Sequence, residues 1–100
     1  MRYVFSLAPN EEWRWPCLDN ANIVFASASS RGAAARIAIW VERAGGAIEQ
    51  QDRVTLSAPH SWWAGAQQPL CEDLFKNDVL VIKAEAGIDT IDVRVDLLGR

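Results

Sequence analysis

His60 sits between Ser57 and Ser61 in a chain that also carries several aspartates. Those are the residue types of a nucleophilic triad: a hydroxyl to attack, an imidazole to take its proton, a carboxylate to orient the ring. No nucleophile elbow and no glycine loop of the oxyanion type accompanies them, so His60 reads as a loop histidine held by local hydrogen bonds. A cation bound by His60 with Asp89, Asp92 or Asp96 fares no better, because alternate positions of a strand project side by side without converging. They read as a solvated strand face. Glu11 and Glu12, like Glu72 and Asp73, are sequence neighbours whose side chains point apart in extended chain, which makes them poor paired acids. Gly45 and Gly46 lack the spacing and following helix of a phosphate loop, and a hairpin turn accounts for them. Cys17 and Cys71 belong to no CxxC pair, so structural zinc is not expected. Without a secretory context they read as buried, reduced, small hydrophobes, a disulfide between them remaining the alternative. The expectation is a protein with no catalytic residue, no metal and no cofactor.

The elements that must carry these residues are strands. Tyr3, Phe5 and Leu7 alternate with Arg2, Val4 and Ser6, as on a half-buried first strand. Trp13, Trp15 and Cys17 share one side of a second extended piece opposite Glu12 and Arg14, and Pro16 marks that piece as an edge or irregular strand. Ile23 to Ala28 is apolar on both faces, like a strand inside a sheet. Ala35 to Arg43 places Ala35, Ile37, Ile39 and Val41 on one face and Arg36, Ala38, Trp40 and Glu42 on the other. Gly45 and Gly46 turn it back toward a short strand at Ala47 to Gln50, and after the polar QQD segment Val54 to Ser57 forms another. Ser61 to Gln68 breaks the rhythm and reads as a long loop with one helical turn, and Leu70 to Phe75 as a short strand or turn. A turn at Lys76, Asn77 and Asp78 launches Val79 to Ala84. Ala86 and Gly87 then reverse the chain into the alternating run Ile91 to Leu97, and the two runs read as a closing hairpin.

About eight short strands punctuated by Gly, Pro, Asn and Asp predict an all-β fold. The chain is expected to form a single antiparallel β-sandwich domain over residues 1–100, or a small barrel, with a jelly-roll path among the options. Its 100 residues, half of them hydrophobic and 23% charged, are ordinary globular material. The net charge of −3 and the scattering of ten basic residues argue against nucleic acid as a partner. No apolar run approaches the roughly 18 residues of a membrane span, and the first residues lack the pattern of a secretion signal, so cytosolic synthesis is expected.

The aromatic load carries the functional expectation. Five tryptophans in 100 residues is a high count. Trp13 and Trp15 are expected to pack on the core. Trp40 projects from the polar face of its strand, bracketed by Arg36 and Glu42, and it admits three readings: packing under a loop, a ligand platform, or an interface anchor. Trp62 and Trp63 are adjacent, so an extended backbone directs them oppositely and one core does not take both. Trp40, Trp62 and Trp63 are the expected interface anchors, with Arg36 and Glu42 at the rim.

The segments NANIVFASASSRGAAARIAIWVERAGG and LFKNDVLVIKAEAGIDTIDVRVDLLG resemble small structural β-sandwich proteins of tailed bacteriophages. The first is a strand with an Ala/Ser-rich break and an alternating strand ending at Gly. The second is an apolar run launched by an Asn-Asp turn and followed by an alternating run. The resemblance spans most of residues 20–99, while WRWP and SWWAGAQQP have no counterpart in it. It implies a virion protein made in the host cytoplasm, serving in capsid decoration, at the neck or tail, or at a fibre base. It further implies contacts with other virion proteins and assembly into homo-oligomers. A carbohydrate-binding module and a small inhibitor of a host protein are the alternative readings.

Overall fold

Two-residue alternation of apolar and polar side chains gives each strand one face to bury, and two sheets meeting on those faces satisfy all of them at once. A computed structural model of the chain describes residues 1–31, 35–56, 61–64, 73–86 and 89–99, with the backbone alone described for 25, 52–56, 61–64 and 86. The described residues form strands β1 (Arg2–Leu7), β2 (Glu12–Pro16), β3 (Ala21–Ser30), β4 (Ala35–Glu42), β5 (Ile48–Leu56), β6 (Ser61–Ala64), β7 (Val79–Ala86) and β8 (Ile91–Gly99). All pair antiparallel, in the orders β1-β8-β3-β6 (sheet A) and β2-β7-β4-β5 (sheet B). That wiring is the jelly roll, in which the chain passes from one sheet to the other at nearly every connection.

Several expectations are met, and three are corrected. β2 is an edge strand, as Pro16 requires, and β3 lies inside its sheet between β8 and β6. β4 and β5 form the hairpin whose turn holds Gly46 at a φ of 99°. The run after Asp78 and the last alternating run do not form a hairpin. β7 lies between β2 and β4 in sheet B, whereas β8 lies between β1 and β3 in sheet A. Their apolar faces therefore meet across the core instead of side by side. The polar QQD segment does not separate two strands. It lies within β5, where the register against β4 slips between Ile39 and Trp40 so that Gln51 is the extra residue of a bulge. Ser61–Ala64, read as loop, pairs with Ala26 to Ser29 as β6. That pairing is to a strand more than thirty residues away, which local sequence does not signal.

The core fills from both sheets. Leu7, Ala26, Ala28, Val93 and Val95 of sheet A pack with Ile37, Ile39, Val41, Leu80 and Ile82 of sheet B, and Cys17 and Leu74 close one end. Small alanines on β3 let the opposing isoleucines approach closely. Between the edge strands β1 and β2 an aromatic row closes the side of the sandwich. Phe5 stacks on Trp13 at 4.6 Å, Tyr3 lies 5.5 Å from Trp13, and Trp15 donates its indole N–H to Tyr3 Oη at 3.0 Å. Trp13 and Trp15 thus pack on the core as expected, half-buried rather than enclosed.

Asp78, only 3% exposed, ties one end together. Its Oδ1 accepts the Ala44 N–H at 3.0 Å, and its Oδ2 accepts the Phe75 N–H at 2.9 Å and Arg43 Nη1 at 2.7 Å. Its carbonyl accepts the Cys17 N–H at 2.8 Å. Asn77, at a φ of 74°, makes the turn that aims this carboxylate inward. Arg43 in turn binds Glu49 through Nε and Nη2 at 3.0 and 2.7 Å and the Asp73 carbonyl at 3.2 Å. Burial pushes the Asp78 carboxyl up, but the Phe75 N–H, the Arg43 guanidinium and the Ala44 N–H outweigh it and hold it below the usual carboxylate range.

Asp78→Ala leaves two sheltered N–H groups and Arg43 without their acceptor, and is expected to cost roughly 3 kcal/mol in urea unfolding. Because the native carboxyl titrates lower than in the unfolded chain, its contribution is complete above about pH 4 and is lost as pH falls through the lowered native value. Thermal midpoints recorded from neutral to acid pH should therefore fall less steeply in Asp78→Asn than in the wild type. An unchanged acid slope would assign the loss to other carboxylates.

Candidate functional site

The outer face of sheet B is where the sequence placed Arg36, Trp40 and Glu42, and the structure brings Trp40 and Glu42 together there. Register sets a row across the sheet, Gln50–Trp40–Val81–Arg14, beside a second, Ile48–Glu42–Val79–Pro16. Arg14 on β2 reaches over β7 to β4, donating from Nη2 to Glu42 Oε1 and Oε2 at 2.5 and 2.9 Å and from Nη1 to Glu12 at 3.1 Å. Trp40 adds its indole N–H to Glu42 Oε2 at 3.5 Å. Val81 and Ala38 are fully buried on this outward face although neither belongs to the core cluster. Bridging from β2 to β4, the Arg14–Glu42 pair lies across Val81, which stands between them in the register.

Electrostatics follow the geometry. The Arg14 hydrogen bond, helped by Trp40, holds Glu42 below the usual carboxylate range against the effect of burial, and Glu42 then Glu12 push Arg14 up. Arg36 is exposed and Lys83 half-buried on the same face, and neither makes an ion pair among the described residues. The face therefore combines a half-buried indole, half-buried Val79, exposed Ile48 and two cations without an ion pair among the described residues. Sequence reasoning missed Arg14 as the group that orders Glu42, because the two are 28 residues apart and meet only through the β2-β7-β4 order.

The other expected positions fall elsewhere. The backbones of Trp62 and Trp63 lie on β6, the edge strand of sheet A, opposite Ala28 and Ser27. Their side chains, together with Ser57, His60, Cys71 and Glu72, lie outside the described residues. Asp92 and Asp96 stand on the outer face of sheet A and are already paired: Asp92 with Arg31 and Ser6, Asp96 with Arg94 and Arg2. Arg31 and Arg94 hold the two carboxyls down. Among the described residues no three His, Cys, Asp or Glu side chains gather as metal ligands. Cys17 is buried, its Sγ directed at the Asp19 carbonyl.

One cleft, of about 220 Å³, opens at the end of the aromatic row. Tyr3, Trp15, Pro16 and Leu18 form its apolar walls, and Asp19 and Asn20 its polar rim.

The fold is a jelly-roll β-sandwich. No protein-family model matches the chain, and no curated protein matches it in sequence.

Arg14→Ala should release Glu42 and uncover Val81. In a nitrogen-proton correlation spectrum the Trp40 indole resonance is expected to move while those of Trp13 and Trp15 stay in place. Displacement of all three would mean that Arg14 supports the domain rather than this face.

Proposed function

We propose that this chain is a non-enzymatic structural protein of a tailed-phage particle, made in the host cytoplasm and working through contacts with other virion proteins and with its own copies. The observation that carries the reading is the outer face of sheet B: Trp40 is half-exposed beside the Arg14–Glu42 pair, on a strip of apolar side chains. Tryptophan and arginine are the residues most enriched where protein interfaces concentrate their binding energy. The jelly roll supports the reading by analogy of fold, since viral capsid domains use it. The partner is taken to be protein, not nucleic acid or membrane. Trp40, Trp62 and Trp63 are its proposed anchors, with Arg36 and Glu42 at the rim.

Lectin domains also use the jelly roll, and the Tyr3–Trp15 cleft with Asp19 and Asn20 at its rim favours a second reading, a carbohydrate-binding module. Aromatic walls would face the sugar ring and the polar rim its hydroxyls.

A mass-spectrometric inventory of purified particles should contain the chain, and its absence would sink the structural reading. Trp40→Ala is expected to lower incorporation at least about tenfold with the fold retained. Normal incorporation would remove this face from the proposal. Glycan binding abolished by Trp15→Ala would transfer the assignment to the second reading.

A further inference from the structure

We infer that the end of the sandwich tied by Asp78 is a two-fold contact between copies of this chain, in which each copy inserts Phe75 into the Tyr3–Trp15 cleft of the other. The inference rests on the self-association part of the reading above and locates it away from Trp40.

Exposed apolar side chains gather at this end. Leu18 is 81% exposed on the turn between β2 and β3, Phe75 is 50% exposed on the turn that leads into β7, and the cleft opens beside Leu18. Hydrogen bonds lock the two turns together. The Cys17 N–H reaches the Asp78 carbonyl at 2.8 Å, the Asn77 N–H reaches the Cys17 carbonyl at 2.7 Å, and the Lys76 N–H reaches Asn20 Oδ1 at 3.3 Å. Phe75 is fixed through its own N–H to the Asp78 carboxylate, and the Arg43 guanidinium backs its ring 5.9 Å from the centre. Side chains held out on locked turns lose little freedom when a partner covers them.

The chain carries both halves of one match, which is what makes a second copy the occupant. A cavity of about 150 Å³ suffices for a benzene ring, so the cleft of about 220 Å³, walled by Tyr3, Trp15, Pro16 and Leu18, accepts the phenyl ring of Phe75. Lys76 follows Phe75, and Asp19 stands at the rim of the cleft. Neither makes an ion pair among the described residues. The other described charges of this end are taken: Arg43 is bound to Glu49 and Asp78, the Met1 ammonium donates to the Leu97 carbonyl, and Asp73 is engaged as well. A Phe75 ring seated in the partner's cleft brings Lys76 to the partner's rim, where Asp19 supplies its counter-charge. Knob and cleft lie at the same end, so a two-fold axis makes the contact twice, each copy reaching across and being reached.

The area sets the strength. The 10 residues of β3 span about 33 Å, close to the longest extent of the molecule, 36 Å, so its ends lie across the other two, 26 and 19 Å. Such an end offers on the order of 500 Å² per copy, at the small limit of specific interfaces, where association is weak and reversible.

Sedimentation equilibrium on the full chain tests the inference. The wild type is expected to dimerise with a dissociation constant on the order of 0.1 mM. Phe75→Ala should weaken the dimer at least about tenfold with unchanged circular dichroism, while Trp40→Ala leaves it intact. Lys76→Glu and Asp19→Lys should each be monomeric alone, because like charges then meet at both contacts, and an equimolar mixture of the two should sediment as a dimer. No role confined to one copy produces that rescue. Dilution of the wild type followed by nitrogen-proton correlation needs no variant: the Trp15 indole resonance should move with concentration, and that of Trp40 should not. A wild type monomeric at millimolar concentration, a dimer indifferent to Phe75→Ala, or a mixture of the two charge variants that stays monomeric would overturn the inference. The first of these leaves the Trp40 face and the particle inventory to be judged on their own.

Discussion

A buried carboxylate must be surrounded by donors, and Asp78 takes its donors from elements that are far apart in the chain. The Phe75 N–H comes from its own turn, the Ala44 N–H and Arg43 from the β4–β5 hairpin, while its carbonyl holds the end of β2 at Cys17. Two of the three structures it joins are strand ends of sheet B, and the third is the turn that starts β7 between them. Leu74, four residues earlier, makes a two-bond bridge to Ala21 at the start of β3 and thereby ties the same turn to sheet A. One short segment thus fixes how the two sheets are set against each other at this end. Alternation alone would let them slide.

The jelly-roll wiring depends on such long-range ties. Among the described residues, β4 and β5 are the sole hydrogen-bonded neighbours that also follow one another in sequence. Every other pairing joins distant strands, so loop-closure entropy is spent before most contacts form, the pattern of slowly folding β proteins. The wiring also separates two outward faces of different character. On sheet A Asp92 and Asp96 of β8 are paired with Arg31 after β3, Arg94 of β8 itself and Arg2 of β1; on sheet B the Arg14–Glu42 pair shelters Val81 and leaves Arg36 and Lys83 unmatched among the described residues. The aromatic row of Tyr3, Phe5, Trp13 and Trp15 closes the side between the edge strands, which accounts for two of the five tryptophans without a partner.

Much of the strand content was legible because it is written in period two. The half-buried β1, the Trp13/Trp15 side of β2, the two faces of β4 and the alternation of β8 all follow from side-chain order along the chain. The Lys76–Asp78 and Gly45–Gly46 turns were legible for an equally local reason, since Asn77 and Gly46 take positive φ values that favour those residue types. The bulge at Gln51 was not, because a polar run within a strand and a break between strands look alike until the partner strand sets the register. The supposed closing hairpin failed likewise. An apolar run and an alternating run joined by an Ala-Gly reversal suit a hairpin, and they equally suit two strands facing each other across a core.

The sequence by itself determined most of the strands, though not β6 or the continuity of β5, which side of the alternating ones is apolar, and that Trp40, Arg36 and Glu42 share a face that does not enter the core. These properties depend on backbone geometry repeating every two residues, and neighbours suffice to set them. Tertiary structure alone decided that β7 and β8 lie in opposite sheets, that Arg14 crosses Val81 to reach Glu42, and that Asp92 and Asp96 are neutralised by Arg31, Arg94 and Arg2. Those outcomes turn on the pairing of strands remote in the chain, where many registers satisfy the same alternation. The one adopted is the arrangement that fills a single core and gives the buried Asp78 its donors.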